Sequence, residues 1–239
     1  MRAYSGTQAE EKKKLSVDLF LVNYIFEHVE DGTHKTVHYR NALPLNKVFT
    51  WADTKNFDFL QFLTMHSTVQ KTSILRQSAV ELPEHTFYVD NILVYQPLPY
   101  FKTMYYIDVD LYHYFIGRID QSVSHQSMIS RVDQYLRVVK IMISSHHLET
   151  IEDPKLRKYM YNFLSIILTI VNTFLTLSKK AENNVKKKEL WQYLKEFDKT
   201  MFNKIRIKPL YAGTQLNGKA GRFIIRSGYK LGRKIFKYN

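Results

Sequence analysis

The 239-residue chain contains no cysteine. Disulfide bonds and thiolate metal sites are therefore excluded, which suits a protein of the reducing cytoplasm. The N-terminal residues have no apolar stretch of the kind that secretory signals carry, so the sequence predicts no such signal. Internal repeats and low-complexity linkers are also lacking. The composition, 45% hydrophobic and 14% aromatic, favours a folded protein with a core over a disordered chain.

Acidic residues are scarce in only one part of the chain. Residues 178–239 contain 17 Lys and Arg but 4 Asp and Glu, whereas residues 1–177 contain 18 of each class. The whole net charge of +13 therefore lies in the tail. The last segment, 222–237, has apolar residues at helical spacing with basic residues around them. Such a helix suits an anionic membrane surface, and we do not expect nucleic acid as its partner. The alternative is an ordinary solvated helix that packs on its neighbours.

Apolar runs predict several strands in the front half of the chain. Residues 17–26 are almost continuously apolar over the length of a strand, as in a strand that is covered on both faces. Asp31-Gly32 indicates a tight turn, so residues 36–40 are predicted to pair back as a hairpin. Further extended segments are predicted at 62–70, 85–93, 102–107 and 111–116, with a short helix at 72–77.

After Gly117 the apolar spacing changes from a period of two to nearly four. Helices are therefore predicted at 128–145, 155–178, 185–204 and 222–237, with a glycine-containing loop at 211–221. The predicted fold class is α+β, in which a mixed sheet precedes a helical region. We expect two parts, residues 1–125 with the strands and residues 126–239 with the helices.

The segment 159–177 approaches the length of a membrane-spanning helix. Polar residues interrupt it, namely Asn162, Ser165, Thr169, Asn172 and Thr173. Polar groups in hydrocarbon need partners, so the interruptions favour a core helix over a membrane span.

Asp90 is an acidic residue in an otherwise apolar, extended-looking segment, between Phe87-Tyr88-Val89 and Asn91-Ile92-Leu93. Asp is disfavoured inside strands because its side chain competes for backbone hydrogen bonds. One interpretation is a carboxylate that ends or caps the segment. The other is a catalytic carboxylate whose pKa is raised by aromatic surroundings, as a general base near neutral pH requires.

Residues 85–134, which include FYVDNILVYQ, LYHYFIGRIDQSVS and the helix that follows, resemble the acceptor half of the family 2 glycosyltransferases, inverting enzymes of the GT-A type. The resemblance extends over 17–239 and implies a partial GT-A-like mixed sheet. In this family a carboxylate, often part of a Glu-Asp pair, deprotonates the acceptor hydroxyl, which attacks the anomeric carbon of the donor sugar. Val89-Asp90 occupies that place here, with Val instead of Glu. The resemblance therefore implies that Asp90 is the base, with Glu84 in reserve.

The segment from Leu111 to Ser124 is similar to the family's Tyr-Arg-x-Arg-x-x-Ser loop, which closes over the donor pyrophosphate and the acceptor. By this resemblance Arg118 faces phosphate or an acceptor hydroxyl, and Gln121 and Ser122 hydrogen-bond the substrate. A salt bridge from Arg118 to its neighbour Asp120 is the alternative. His66 matches a polar position that lines the acceptor side, or else it is a structural histidine.

Asp108-Val109-Asp110 has the letters of the Asp-x-Asp motif through which GT-A enzymes bind a divalent metal and the nucleotide diphosphate. In the family that motif precedes the acceptor half, whereas here it follows Asp90. We therefore interpret the two residues as turn or strand-end carboxylates. Mg²⁺ or Mn²⁺ is expected for the intact enzyme, but not through a motif in this chain.

The sequence thus favours part of an enzyme that moves a sugar from a nucleotide-sugar donor to a saccharide or cell-surface glycan, at the cytoplasmic face of a membrane. No Gly-rich, phosphate-cradling loop precedes the first strand, so the nucleotide-binding half is expected to be missing from this chain. We expect that this chain alone binds nucleotide sugars weakly or not at all. The alternative hypothesis is a non-enzymatic basic adaptor that binds membrane or nucleic acid through its tail.

Overall fold

A computed structural model describes residues 17–29, 31–116, 125–178, 180–214, 223 and 225–227. Over these residues the fold is a mixed sheet followed by a helical region. The order of elements agrees with the predicted α+β class.

The sheet is mixed because a parallel strand pair lies at its centre. Its strands are β1 (Leu19–His28), β2 (His34–Val37), β3 (Val48–Phe49), β4 (Thr68–Gln70) and β5 (Met104–Ile116). Their order is β2-β1-β5-β3, and β4 pairs with the beginning of β1. β1 and β5 are parallel, whereas the other pairings are antiparallel.

β1 confirms the strand predicted at 17–26, and most of its side chains are buried. The turn predicted at Asp31-Gly32 is also present. Gly32 has a φ of +67°, and the Asp31 carboxylate accepts hydrogen bonds from the backbone N–H and hydroxyl of Thr33. β2 then pairs antiparallel with β1, two residues earlier than predicted.

β5 is one strand of 13 residues, so the predicted interruption between 107 and 111 is wrong. β5 tolerates polar residues at its centre because the pairing register between β1 and β5 shifts there, on both sides of Asn23. The Asn23 side-chain amide donates hydrogen bonds to both Asp108 and Asp110, at 2.8 and 3.1 Å. The acidic pair therefore lies within a strand and not at a turn or strand end.

Helices make up most of the remaining described chain. They are α1 (Thr72–Gln77), α2 (Asp90–Tyr95), α3 (His125–Ser130), α4 (Val132–Ser144), α5 (Pro154–Leu177), α6 (Ala181–Phe197), α7 (Lys199–Arg206) and α8 (Pro209–Thr214). α1 and α5 match their predictions. The helix predicted at 128–145 is broken at Arg131, and that predicted at 185–204 is broken at Asp198, whose side chain caps α7 by accepting a hydrogen bond from the Met201 N–H.

Two extended segments predicted in the front half are wrong. The segment 85–93 is a turn that leads into α2, so Asp90 begins a helix and does not end a strand. Positive φ angles at His85 and Tyr88 turn the chain into that helix. Within 62–70 only β4 is extended, because a 3-10 turn forms at Met65–Ser67.

The end of the chain can be compared with its prediction only in part. α8 occupies the beginning of the loop predicted at 211–221. The rest of that loop lies outside the described residues, as does most of the helix predicted at 222–237. Phe223 and 225–227 are helical, with Phe223 exposed and Ile225 buried.

α5 is the central helix of the core. It begins at Pro154, after the Asp153 carboxylate accepts hydrogen bonds from the N–H groups of Lys155 and Leu156. In the described part of the chain it is the one helix whose length and composition would allow a membrane span. Most of its side chains are buried against α4, α6 and α8, as a core helix requires. Thr169 satisfies its hydroxyl by donating to the Ser165 carbonyl, as polar residues inside helices often do.

Asp18 connects three segments at the beginning of the sheet. Its carboxylate accepts hydrogen bonds from the N–H groups of Lys102 and Thr103 and lies 3.3 Å from the Lys71 ammonium. Burial by itself would raise the pKa of Asp18. The hydrogen bonds from Lys102, Thr103 and Lys71 outweigh it, so the pKa lies below its usual value.

We expect that Asp18→Asn lowers the free energy of unfolding at pH 7 by about 1–3 kcal/mol, the usual range for hydrogen bonds to a charged group. The pKa of Asp18 is lower in the folded than in the unfolded protein, so its carboxylate stabilises the fold above the unfolded pKa of Asp. This stabilisation is lost as the pH falls through the folded-state pKa of Asp18. Urea unfolding at pH 7 and in acid measures both effects. Asp58→Asn, at an exposed position, is the control. A gap between wild type and variant that does not narrow in acid would refute the assignment.

Candidate functional site

Asp90 lies at the first position of α2 among tyrosine rings. Burial raises the pKa values of Tyr88, Tyr114 and Tyr135, which belong to the preceding turn, β5 and α4 respectively, and the charge of Asp90 adds to the rise. The Tyr88 and Tyr135 rings stack with their centroids 4.4 Å apart. Asp90 is therefore within electrostatic reach of tyrosines from three parts of the chain.

The aromatic surroundings change the acidity of Asp90. Burial raises its pKa, because the charged form loses hydration, although its own N–H and that of Asn91 partly offset the effect. The Asn91 side-chain amide is a further weak donor at 3.4 Å. Within the described ranges no Lys, Arg or His forms an ion pair with Asp90. A carboxylate of this kind can accept a proton at a pH nearer neutrality than an exposed one.

Arg131, at the break between α3 and α4, contacts the turn that precedes Asp90. Its guanidinium carbon is 3.8 Å from the centroid of the Phe87 ring. Burial raises the pKa of Tyr88 to about 12, and the Arg131 charge opposes that rise. Among the described residues the Arg131 Nη1 atom is buried and has no hydrogen-bond partner. The site therefore has a cation near Tyr88 whose donors are not all used.

His66 lies in the 3-10 turn that packs on β1 and β5. Its ring is 4.5 Å from the Tyr114 ring, 4.9 Å from Tyr112 and 5.5 Å from Tyr24, measured between centroids. Burial lowers the pKa of His66, so the imidazole is neutral near pH 7. Tyr114 of β5 therefore has the shortest distance to His66 of these three rings.

The turn before Asp90 has an unusual backbone that α4 holds in place. Tyr88 has a φ of 69°, a region that bulky residues rarely occupy. The Gln134 side-chain carbonyl accepts a hydrogen bond from the Phe87 N–H at 2.8 Å, and Arg137 donates to the Thr86 hydroxyl at 3.3 Å. Such strain persists only when surrounding contacts stabilise it, and it is common at functional sites.

Asp108 and Asp110 both have partners within the chain, since the Asn23 amide donates to each of them. The Arg40 Nε lies 2.5 Å from an Asp108 oxygen. The hydrogen bonds from Arg40 and then Asn23 hold the pKa of Asp108 below its usual value. Because a guanidinium already neutralises Asp108, the pair does not fit a divalent cation. No group of three possible metal ligands occurs in the described part of the chain.

The described contacts do not connect the reserve carboxylate Glu84 with this cluster. The Glu84 side chain is exposed, and its backbone carbonyl accepts a hydrogen bond from the Thr86 hydroxyl. Arg118, Gln121 and Ser122 lie outside the described residues. Sequence reasoning did not select Arg131, and nothing in its local sequence separates it from the other basic residues.

Comparison with known proteins adds no neighbour to this site. No protein-family model matches the chain, and neither a curated protein nor a solved structure is similar to it. The arrangement of Asp90, Arg131, His66 and the tyrosines is therefore the basis for a functional assignment.

Proposed function

We propose that the chain is the acceptor-side part of an inverting family 2 glycosyltransferase with a partial GT-A-like sheet. The intact enzyme would move a sugar from a nucleotide-sugar donor to a hydroxyl of a saccharide or cell-surface glycan. The observation that supports this best is the half-buried carboxylate of Asp90, whose pKa is raised by burial and which has no ion-pair partner among the described residues.

In the proposed reaction Asp90 accepts the proton of the acceptor hydroxyl. The hydroxyl oxygen forms a bond to the anomeric carbon while the bond from that carbon to the nucleotide diphosphate breaks on the opposite face. The electron pair leaves with the diphosphate, and the configuration inverts. A general base of this kind accelerates the step by about 10²–10⁴-fold when its pKa is close to the working pH.

Further residues, inside and outside this cluster, would position the substrates. A guanidinium with unused donors suits phosphate or carboxylate oxygens, so Arg131 is proposed to contact an anionic substrate group, with Arg118 in the same role. His66, Gln121, Ser122 and the reserve carboxylate Glu84 are proposed to contact acceptor hydroxyls. Mg²⁺ or Mn²⁺ is proposed for the intact enzyme, and none of the steps above depends on Asp108 or Asp110.

The basic tail supports a proposed location at the cytoplasmic face of a membrane. Phe223 and Arg226 are exposed and Ile225 is buried, which places an aromatic and a basic side chain at the surface. Aromatic and basic side chains together bind anionic lipid surfaces. The same tail is the basis of the rival hypothesis, a non-enzymatic adaptor.

A binding experiment separates these hypotheses. We expect that saccharides on an array bind the chain, and that the ¹³C-labelled ring signals of Tyr114 and the imidazole signals of His66 shift on titration with the best ligand. Glycan binding that shifts signals only elsewhere would refute the site. Binding to vesicles of anionic lipid without binding to any saccharide would favour the adaptor.

A further inference from the structure

Two lysines from different elements meet on the exposed side of α5. The Lys158 ammonium, on α5 itself, donates a hydrogen bond to the Asn56 side-chain oxygen at 2.9 Å. The Lys208 ammonium, between α7 and α8, donates to the Asn162 side-chain oxygen at 2.6 Å. We call these four residues the lysine site. Three separate parts of the chain build it, and none of its residues belongs to the candidate site around Asp90.

The spacing on α5 brings the two ammonium groups close together. Lys158 and Asn162 are four residues apart, so their side chains are neighbours on one helix face, with Cβ atoms about 5–6 Å apart. Because Lys208 binds Asn162, its positive charge lies next to that of Lys158. Burial lowers the pKa of Lys208, and the Lys158 charge lowers it further. The fold therefore holds two like charges together, which costs free energy.

No carboxylate balances these two charges in the part of the chain that the structure describes. Its ion pairs involve neither Lys158 nor Lys208. Each ammonium has three donors, and the asparagine oxygen accepts one of them. Each asparagine directs its oxygen to an ammonium, so its NH₂ group remains as a further donor. The lysine site therefore combines two positive charges with unused donors.

A phosphate group matches these properties. A phosphate monoester carries a charge of about −1.5 to −2 at pH 7 and three strong acceptor oxygens, and lysine binds it as a point charge. A metal cation would be repelled, and a neutral sugar hydroxyl would leave the two charges unbalanced. We propose that the lysine site binds a phosphate group, carried by a soluble phosphate compound or by a lipid headgroup. Such binding does not depend on the proposed sugar transfer.

The surroundings fit either source of the phosphate group. Asn56, Lys158 and Asn162 are exposed, so a soluble compound can reach them. Ile207 precedes Lys208 and is 73% exposed. An apolar side chain beside basic ones suits the headgroup region of an anionic membrane. The two sources therefore differ in whether Ile207 contributes to binding.

Titration of the full chain with inorganic phosphate and with pyrophosphate, at constant ionic strength, tests the proposal. We expect the ¹³C-labelled ε-methylene NMR signals of Lys158 and Lys208 to shift with the same dissociation constant, in the millimolar range for phosphate. Lys158→Gln and Lys208→Gln should each weaken binding about tenfold, because each removes one of the two charges. Lys188→Gln removes the same charge at an exposed position on α6, and it should leave binding unchanged.

A further variant covers the case in which a lysine variant does not fold. Asn162→Asp keeps the size of the side chain and places a carboxylate next to both ammonium groups. We expect this variant to stay folded, because it supplies the missing counter-charge, and to lose phosphate binding for the same reason. Equal phosphate binding by wild type and Asn162→Asp would overturn the proposal.

Sedimentation with lipid vesicles distinguishes the two sources. A lipid headgroup predicts binding to phosphatidylglycerol vesicles, but not to phosphatidylcholine vesicles, that Lys208→Gln and Ile207→Ser both weaken. A soluble compound predicts that neither substitution changes vesicle binding. The basic tail is present in every variant, so a difference between variants reports on the lysine site. The proposal fails if neither anion shifts the Lys158 and Lys208 signals and Lys208→Gln leaves vesicle binding unchanged.

Discussion

Asp90→Asn is expected to reduce sugar transfer by the intact enzyme about 10²–10⁴-fold and to leave the protein at least as stable as wild type at pH 7. The amide keeps the size of the side chain and its capacity to accept the N–H of Asn91, but it cannot accept a proton. The loss should appear in kcat, because the base acts in the chemical step.

The stability part of this prediction follows from the direction of the pKa shift. Burial raises the folded-state pKa of Asp90. The contribution of Asp90 to the stability of the fold is therefore fully present below the unfolded pKa of Asp, and it is lost as the pH rises through the folded-state pKa. At pH 7 the ionised carboxylate therefore destabilises the fold, and the neutral amide relieves that cost. Activity should follow the opposite trend and rise with pH as Asp90 loses its proton.

Thermal unfolding and the pH profile of kcat/KM measure the two effects. Asp58→Asn makes the same chemical change at an exposed position, and it should alter neither the melting temperature nor the pH profile. A purely structural cap at Asp90 would give a different pattern, with a lower melting temperature and unchanged chemistry. Retained turnover in Asp90→Asn would therefore exclude Asp90 as the base.

Tyr159→Ala is expected to cost about 3–5 kcal/mol of unfolding free energy, the range for removing a large side chain from a core. Tyr159 lies on α5 and its ring is 5.0 Å from that of Trp51 and 4.7 Å from that of Phe57, between centroids. Its hydroxyl oxygen accepts a hydrogen bond from the Leu63 N–H at 2.8 Å. These contacts connect the helical region to the front half of the chain, so one substitution should destabilise both.

Smaller changes at the same site separate packing from hydrogen bonding. Tyr159→Phe keeps the ring but leaves the buried Leu63 N–H without its acceptor, which should cost about 1–3 kcal/mol. Phe59→Ala, at an exposed position, controls for the loss of a ring. Chemical denaturation followed by tryptophan fluorescence and by circular dichroism should give coincident transitions. A sheet that remains folded in Tyr159→Ala would show that the two regions are stable separately.

Strong and local sequence patterns were sufficient for part of the fold. β1 is a long apolar run, the turn at Asp31-Gly32 has a glycine where φ is positive, and α5 has both a capping Asp153 and Pro154 at its first turn. Each of these signals is contained within a few neighbouring residues. Their physical effects depend little on the rest of the chain.

Weak or conflicting patterns were decided by distant contacts. The run around Asp90 reads as extended because Phe, Tyr, Val and Ile favour strands, yet contacts from α4 hold the preceding turn and allow α2 to form. β5 continues through its acidic pair because Asn23 and Arg40 satisfy both carboxylates. Asn23 and Arg40 are both far from the acidic pair in sequence, so the local sequence could not predict that the strand continues.

Some residues of the candidate site could be predicted from the sequence, and others could not. Asp90 could be selected from the sequence because a polar residue in an apolar, strand-like segment needs an explanation, whereas His66 was selected only through the resemblance to a family. Arg131 and Tyr114 could not, because one is among many basic residues and the other among many tyrosines. Their relevance comes from contacts with residues far away in the chain, because Arg131 lies over the Phe87 ring and the Tyr114 ring contacts His66.

The amino-acid sequence by itself determined the α+β class, the core strand β1, the core helix α5 and the concentration of positive charge in the tail. Only the tertiary structure decided that Asp90 begins a helix, that Tyr88 stacks on Tyr135 of α4, and that β5 runs unbroken through its acidic pair. The reason is that the periodicity of apolar residues and the charge of a segment can both be read from residues that are neighbours in the sequence. Burial, desolvation and ion pairing depend instead on residues that the fold brings together from far apart in the chain.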